Sequence, residues 1–240
     1  MATNTLPATG STRPASARRS TVFMKMLMAV SGALFVFYVL AHMYGNLKIF
    51  SGVEAFDEYA EHLRTMFTPF LPFGGFLWLF RALLVAALVA HAWAAFYLWS
   101  RANGARTTRY VAKAAAKATV KSRMMRWGGV ALLLFLVWHL LQFTIVRFNV
   151  GSLAAKDSPG LLVISSFQVW WVVLIYVLAL VALGMHLYHG VWSATQTLGW
   201  AGNAAARARA KTLATVIAVV TSVGFALPPL AILFGIVKGS

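Results

Sequence analysis

Five apolar runs, at residues 22–47, 76–98, 127–148, 167–189 and 212–236, dominate the chain, and each is near the ~20 residues that cross about 30 Å of hydrocarbon as a helix. A lipid-embedded backbone must satisfy its own hydrogen bonds, so runs of this length read as transmembrane helices. The expected fold is all-α: an integral membrane bundle of five transmembrane helices. The balance of residues agrees, with 60% hydrophobic, 11% charged and a mean hydropathy of +0.75 over 240 residues. A soluble domain of this size has too little interior for so much apolar surface.

Residues 1–20 are polar and rich in Ala, Ser, Thr and Pro, with Arg13, Arg18 and Arg19 ahead of the first apolar run. They resemble the n-region of a signal peptide, but the run that follows is too long for a signal core and ends without a clear small-residue cleavage site. The expected organisation is a disordered cytoplasmic tail over 1–20 and one five-helix membrane domain over 21–240.

Charge placement orients the bundle. Arg13, Arg18, Arg19 and Lys25, then Arg101, Arg106, Arg109, Lys113, Lys117, Lys121, Arg123 and Arg126, then Arg207, Arg209 and Lys211 all fall on one side, fifteen of the 21 basic residues. All five acidic residues (Glu54, Asp57, Glu58, Glu61 and Asp157) fall on the other. Basic loops stay in the cytoplasm, so the N-terminus is expected inside and the C-terminus outside. The net charge of +16 is thus a topology signal and not a nucleic-acid patch, and the basic face is suited to docking a soluble partner.

Two loops carry helical patterns of their own. In the loop 101–126, the Ala-rich stretch 111–120, with Lys113 and Lys117 four apart, suggests a short interfacial helix. In the loop 48–72, Phe56, Tyr59, Leu63, Met66 and Phe67 recur at helical spacing, and Pro69 and Pro72 are expected to end the helix.

Chemistry is concentrated in the histidines. There is no cysteine, which excludes disulfides, Cys-ligated clusters and covalently attached haem. Of six His, His42, His91, His139 and the pair His186/His189 lie in four successive membrane segments, and His62 lies in a loop. Ionisable groups in a bilayer are costly and mark functional sites. His42, His91, His139 and His186 are spaced 49, 48 and 47 residues apart, which in alternating helices sets them at different depths. At 1.5 Å per residue, His42 and His139 stand roughly 30 and 18 Å from the inner face, and His91 and His186 roughly 22 and 28 Å from the outer face. This pairs His42 with His139 on the outer side and His91 with His186 on the inner side. The outer match is poor by about 12 Å, and improves if the third helix begins near Ser122.

Two imidazoles facing one another suit the two axial positions of a haem iron, and leave no open position for oxygen chemistry. A zinc or di-iron site would need clustered carboxylates, and no acidic residue lies in any apolar run. Gly45, Gly184 and Gly190, with Ala90, Ala92, Ala94 and Ala95, leave room for a macrocycle or for close helix packing. Arg81 near the outer end, and Ser31 and Trp127 near the inner end, are candidates for haem propionates; snorkelling and interfacial anchoring are the alternatives.

Several stretches together resemble the single-subunit di-haem cytochrome b anchor of bacterial succinate dehydrogenase and fumarate reductase. They are Ala41-His42-Met43-Tyr44-Gly45-Asn46-Leu47, Glu58-Tyr59-Ala60-Glu61-His62-Leu63-Arg64, His91 with Asn103-Gly104-Ala105-Arg106-Thr107-Thr108-Arg109-Tyr110, His139, and Gly184-Met185-His186-Leu187-Tyr188-His189-Gly190-Val191-Trp192-Ser193. The resemblance covers residues 20–236 and rests on the order of these pieces, the five helices and one His per helix. It implies a membrane anchor of complex II in the bacterial cytoplasmic membrane, with no succinate chemistry of its own. A flavoprotein carrying FAD and an iron–sulfur protein would dock on its cytoplasmic face, and electrons would pass through two haems b to quinone, generally menaquinone. By the same resemblance His91 and His186 hold the proximal haem, and His42 and His139 the distal one. His189 shares a face with His186; the position of Gly190 and Gly199 favours His186 as ligand, leaving His189 to an inner quinone site or a propionate. An outer quinone site would use Glu58 or Glu61, with His62 and Arg64 beside them; a solvated helix with Glu58 paired to His62 is the alternative. The resemblance leaves a higher oligomer open.

Two other readings compete. A di-haem anchor of a formate dehydrogenase or hydrogenase shares the His-pair logic but fits the stretches less well. A transporter with structural His is disfavoured by the lack of intramembrane carboxylates and of broken helices, Pro228-Pro229 apart.

Overall fold

The computed structural model describes residues 20–104, 113–148, 150–151 and 158–239. The tail 1–19, the loop 105–112 and Asp157 lie outside the described residues, and with them the expectations placed on Arg13, Arg18, Arg19, Arg106 and Arg109. Among the described residues the chain is all-helical, and five helices are long and apolar enough to cross a membrane.

The five long helices are α1 (Thr21–Leu47), α3 (Gly75–Gly104), α4 (Lys113–Leu140), α6 (Trp170–Thr197) and α7 (Ala204–Leu233), with two short ones, α2 (Val53–Thr65) and α5 (Pro159–Phe167), between them. Ser20 caps α1 by accepting from the Phe23 N–H, and Asn203 caps α7 by accepting from the Ala206 N–H. α1 packs against α3, α6 and α7; α6 packs against α4, α7 and α1. The arrangement is four helices, α1, α3, α4 and α6, with α7 laid along the α1/α6 side. Small residues let α7 approach closely: Ala210, Ala214, Ala218 and Gly224 are all buried, and a Cβ on Gly224 would collide with the Met43 side chain of α1. Pro228 and Pro229 lie within α7 without ending it. Between membrane helices, neighbouring groups compensate the lost backbone bonds.

Helix boundaries differ from the hydropathy boundaries in four places. From Lys113 on, the Ala-rich stretch expected as a separate interfacial helix is the first part of α4, whose span by composition begins at Arg123. Ala and Lys favour helix and nothing between 113 and 127 breaks it. At its far end α4 widens into a single π-turn, Leu141–Ile145. The fourth apolar run, expected over 167–189, differs at both ends: Phe167 closes the buried helix α5, which Ser158 caps with Pro159 at its first turn, and α6 starts at Trp170 and runs on to Thr197. The loop helix α2 stops at Thr65, short of Pro69 and Pro72, because Met66 turns extended and Phe67 enters the left-handed region at φ 66°.

α2, α5 and the π-turn gather at one end of the bundle. Asp57 on α2 clasps the start of α5, accepting from the Gly160 N–H at 2.7 Å and from the Ser158 hydroxyl at 2.5 Å. Below this clasp Ile49, Val163, Ile164, Phe167, Val172, Val173, Tyr176 and Ile232 form the main buried apolar cluster. The opposite end carries Lys25, Arg101, Arg123, Arg126, Arg207, Arg209 and Lys211. The four acidic residues among those described all sit on α2, at the clasped end.

Candidate functional site

The structure brings the four spaced histidines together as two pairs across the four-helix arrangement. His42 of α1 meets His139 of α4 with ring centres 5.8 Å apart and planes at 81°. His91 of α3 meets His186 of α6 with ring centres 6.2 Å apart and planes at 57°. The first pair sits toward the clasped end, late in α1 and beside the π-turn. The second sits toward the basic end, against residues early in α1 and α4. Part of the shortfall in the outer depth match comes from starting the third helix at 127. Counted from Arg123, His139 stands roughly 24 Å along its span, against roughly 31 Å for His42 counted from Thr21.

Each pair has one imidazole anchored by a hydroxyl from a neighbouring helix. The Ser31 hydroxyl donates to the Leu27 carbonyl at 2.7 Å, so at 3.1 Å from His91 Nδ1 it accepts the ring N–H. Tyr176 donates to Gln142 Oε1 at 3.0 Å, so at 3.2 Å from His139 Nδ1 it likewise accepts. Both arrangements leave Nε2 as the nitrogen with a lone pair. The other two imidazoles are held differently. His42 stacks on Tyr38 at 5.3 Å and 11°, with Phe225 at 5.6 Å and the Asn46 side chain at 3.4 Å from its Nε2. His186 Nδ1 is buried with no hydrogen-bond partner. A buried, unpaired ring nitrogen costs free energy, which makes that atom one that a ligand would satisfy.

Glycines back the basic-end pair. A Cβ on Gly32 would stand 3.4 Å from His91 Cε1, and one on Gly129 3.5 Å from His186 Cε1. The glycines singled out from sequence lie elsewhere: Gly45 is pressed against Tyr59, Gly184 against Ser222 of α7, and nothing faces Gly190. Gly45 and Gly184 therefore serve close packing.

These residues fit a metal held between imidazoles. Two metal–imidazole bonds of about 2 Å, with about 1 Å from nitrogen to ring centre on each side, sum to about 6 Å, matching both pairs. No group of three or more His, Asp or Glu is placed to hold a bare ion among the described residues. Two nitrogen donors per site suit a metal that brings its remaining ligands with it, as a porphyrin does.

The other candidates sort as follows. Arg81 lies over the Trp78 ring at 5.2 Å and near enough to Tyr38 for its charge to act on the phenol, which puts it beside the His42 pair. Ser31, expected at a propionate, contacts His91. Trp127 is 62% exposed and packs on Trp99 at 5.8 Å, as an interfacial anchor does. His189 makes no ring contact with His91; its Nδ1 is 3.0 Å from the Met185 carbonyl, and with His186 it lines a shallow cleft bounded by Met124, Met125 and Gly128. On α2, Glu61 pairs with Arg64 at 3.2 Å, and Glu58 and His62 are exposed without the expected mutual pairing.

Tyr176, Gln142, Gly32 and Gly129 escaped the sequence reading. Gln142 had a signal, being a lone amide in an apolar run three residues after His139. Tyr176 lies ten residues before His186 on α6, about 80° round the helix from it, so the periodicity that marks His186 does not point to it. No family model, curated protein or solved structure matches the chain.

Proposed function

We propose that the chain is the membrane-anchor cytochrome b subunit of a bacterial succinate:quinone oxidoreductase, holding two haems b and serving menaquinone. The observation that carries this reading is the pair of imidazole pairs, each across the bundle and at two levels along it. A haem b between two imidazoles supplies a one-electron carrier with no coordination position open to oxygen. His91 and His186 would hold the haem nearer the basic end, and His42 and His139 the one nearer the clasped end. Ser31 and Tyr176 fix the tautomers of His91 and His139. Arg81 is the cation available to a propionate beside the His42 pair.

With the basic end in the cytoplasm, its exposed arginines and lysines form the docking face for the iron–sulfur and flavoprotein subunits. His189, with its Nδ1–H on its own helix, leaves the Nε2 lone pair to accept the hydroxyl proton of a quinol at that end. The alternative quinone site, at Glu58, Glu61, His62 and Arg64, would lie at the clasped end.

A tagged chain purified from bacterial membranes with mild detergent tests the reading. A pyridine haemochrome assay should give two haems b per chain, a flavoprotein and an iron–sulfur protein should co-purify, and succinate should reduce the haem spectrum. Absence of haem defeats the cytochrome reading; co-purification with a formate dehydrogenase or hydrogenase subunit redirects it to that class.

A further inference from the structure

Around His139 the polar contacts form a short chain inside an apolar enclosure. The ring N–H at Nδ1 meets Tyr176 Oη at 3.2 Å, and the Tyr176 hydroxyl donates to Gln142 Oε1 at 3.0 Å. Gln142 has no solvent exposure and Tyr176 is 8% exposed. The phenol is caged by Phe135 at 4.9 Å and Phe167 at 4.9 Å, both edge-on, so its rotation is restricted. Gln142 belongs to the π-turn Leu141–Ile145, a local widening that is rare and often found at functional sites. The chain has a direction. With the Gln142 amide turned as it is here, Oε1 toward Tyr176 and the amide nitrogen buried without a partner, the tyrosine proton goes to Oε1 and the tyrosine oxygen takes the imidazole proton. A reversed chain would put the proton on Nε2 and remove its lone pair.

We propose that Tyr176, held in place by Gln142, is the positioning residue that sets the tautomer and the donor strength of His139 toward its metal. This rests on the haem reading of the His42–His139 pair. An imidazole whose N–H is hydrogen-bonded is a stronger donor through its other nitrogen, which favours the oxidised metal. Removing the acceptor therefore raises the midpoint potential at that site.

The experiment is an optical redox titration with low-spin EPR on the purified complex, comparing the natural chain with Tyr176→Phe, Gln142→Met and Phe167→Leu. Tyr176→Phe should keep two haems, move the potential and EPR signal of one component upward and leave the other in place. Gln142→Met keeps the tyrosine hydroxyl and should shift the same component less, in the same direction. Phe167→Leu touches the same phenol without a hydrogen bond and should shift neither, whereas Phe135 also stacks on the His139 ring at 5.9 Å and is no such control. Unmoved potentials in Tyr176→Phe overturn the assignment. So do equal shifts of both components, a Phe167→Leu shift as large as that of Tyr176→Phe, or joint loss of both haems in Tyr176→Phe and Gln142→Met, which would mark a packing role. A natural chain without haem overturns the underlying reading and this assignment with it, whereas two haems with an unmoved Tyr176→Phe variant overturn only the assignment.

Discussion

Gly129 on α4 lies directly against His186 on α6, where a Cβ would stand 3.5 Å from the ring carbon Cε1. Gly32 on α1 stands in the same relation to His91, at 3.4 Å. A methyl group at either position reaches ordinary contact, but any carbon beyond it enters the space of the imidazole. Gly129→Leu and Gly32→Leu should therefore displace the His91–His186 pair and remove one haem of the two, while Gly128→Leu, which faces nothing within 4 Å, should keep both. Haem content per chain and the reduced-minus-oxidised spectrum read this directly. Two haems retained in both bulky variants would show that the glycines have no such role.

The pairing itself is tested by removing imidazoles singly. His42→Ala and His139→Ala should damage the same spectral component, and His91→Ala and His186→Ala the other, because each pair shares one site and the two sites sit at different levels. Damage to one common component by His42→Ala and His91→Ala would contradict the pairing.

Asp57 ties α2 to α5 through two hydrogen bonds to the first turn of α5. Asp57→Ala should leave the Gly160 N–H and the Ser158 hydroxyl without that partner and cost about 1–3 kcal/mol. A lowered thermal-shift midpoint in detergent, with haem content unchanged, is the expected result; an unchanged midpoint would mean the clasp adds nothing.

The chain alone should not oxidise succinate. On the anchor reading, succinate chemistry belongs to the partner subunits, and among the described residues the short helices between the long ones are α2 and α5. Succinate oxidation by the isolated chain, measured with an artificial dye, would sink the anchor reading.

The histidine pairing was legible in sequence because helical rise and alternating direction fix depth to within a turn or two, and the regular spacing of His42, His91, His139 and His186 survives that error. Elements with no hydropathy signature were not legible. The fourth run, read as 167–189, leaves α5 out and starts before α6, because nine residues of α5 are too few to cross a membrane and apolar Phe167 reads as part of the span beyond the break at Gln168 and Val169. The contact of Ser31 with His91 was not legible because a serine near one end of a segment gives no indication of which helix it faces. Tyr176 and Gln142 lie 34 residues apart and their bond depends on how α4 and α6 pack, which periodicity in one helix does not contain.

His186 and His189 offer the sharpest discrimination, since three residues separate them on one helix and only one faces His91. The His186 ring is 6.2 Å from that of His91 and its buried Nδ1 has no partner. His189 instead has its Nδ1 3.0 Å from the Met185 carbonyl of its own helix and packs edge-on to Tyr188 at 5.2 Å. Nothing in its surroundings supplies a second imidazole, so it has no axial partner. It borders the cleft with Met124, Met125 and Gly128 at the basic end, where an iron–sulfur partner would dock. His189→Ala should therefore keep both haems with unchanged spectra and slow quinone reduction by succinate, while His186→Ala should lose the component it shares with His91→Ala. Spectra and quinone-reductase rates of the two variants, measured on the same preparations, decide between them. Loss of a haem in His189→Ala with both retained in His186→Ala would reverse the assignment, and a full quinone rate in His189→Ala would move the quinone site to the other end of the bundle.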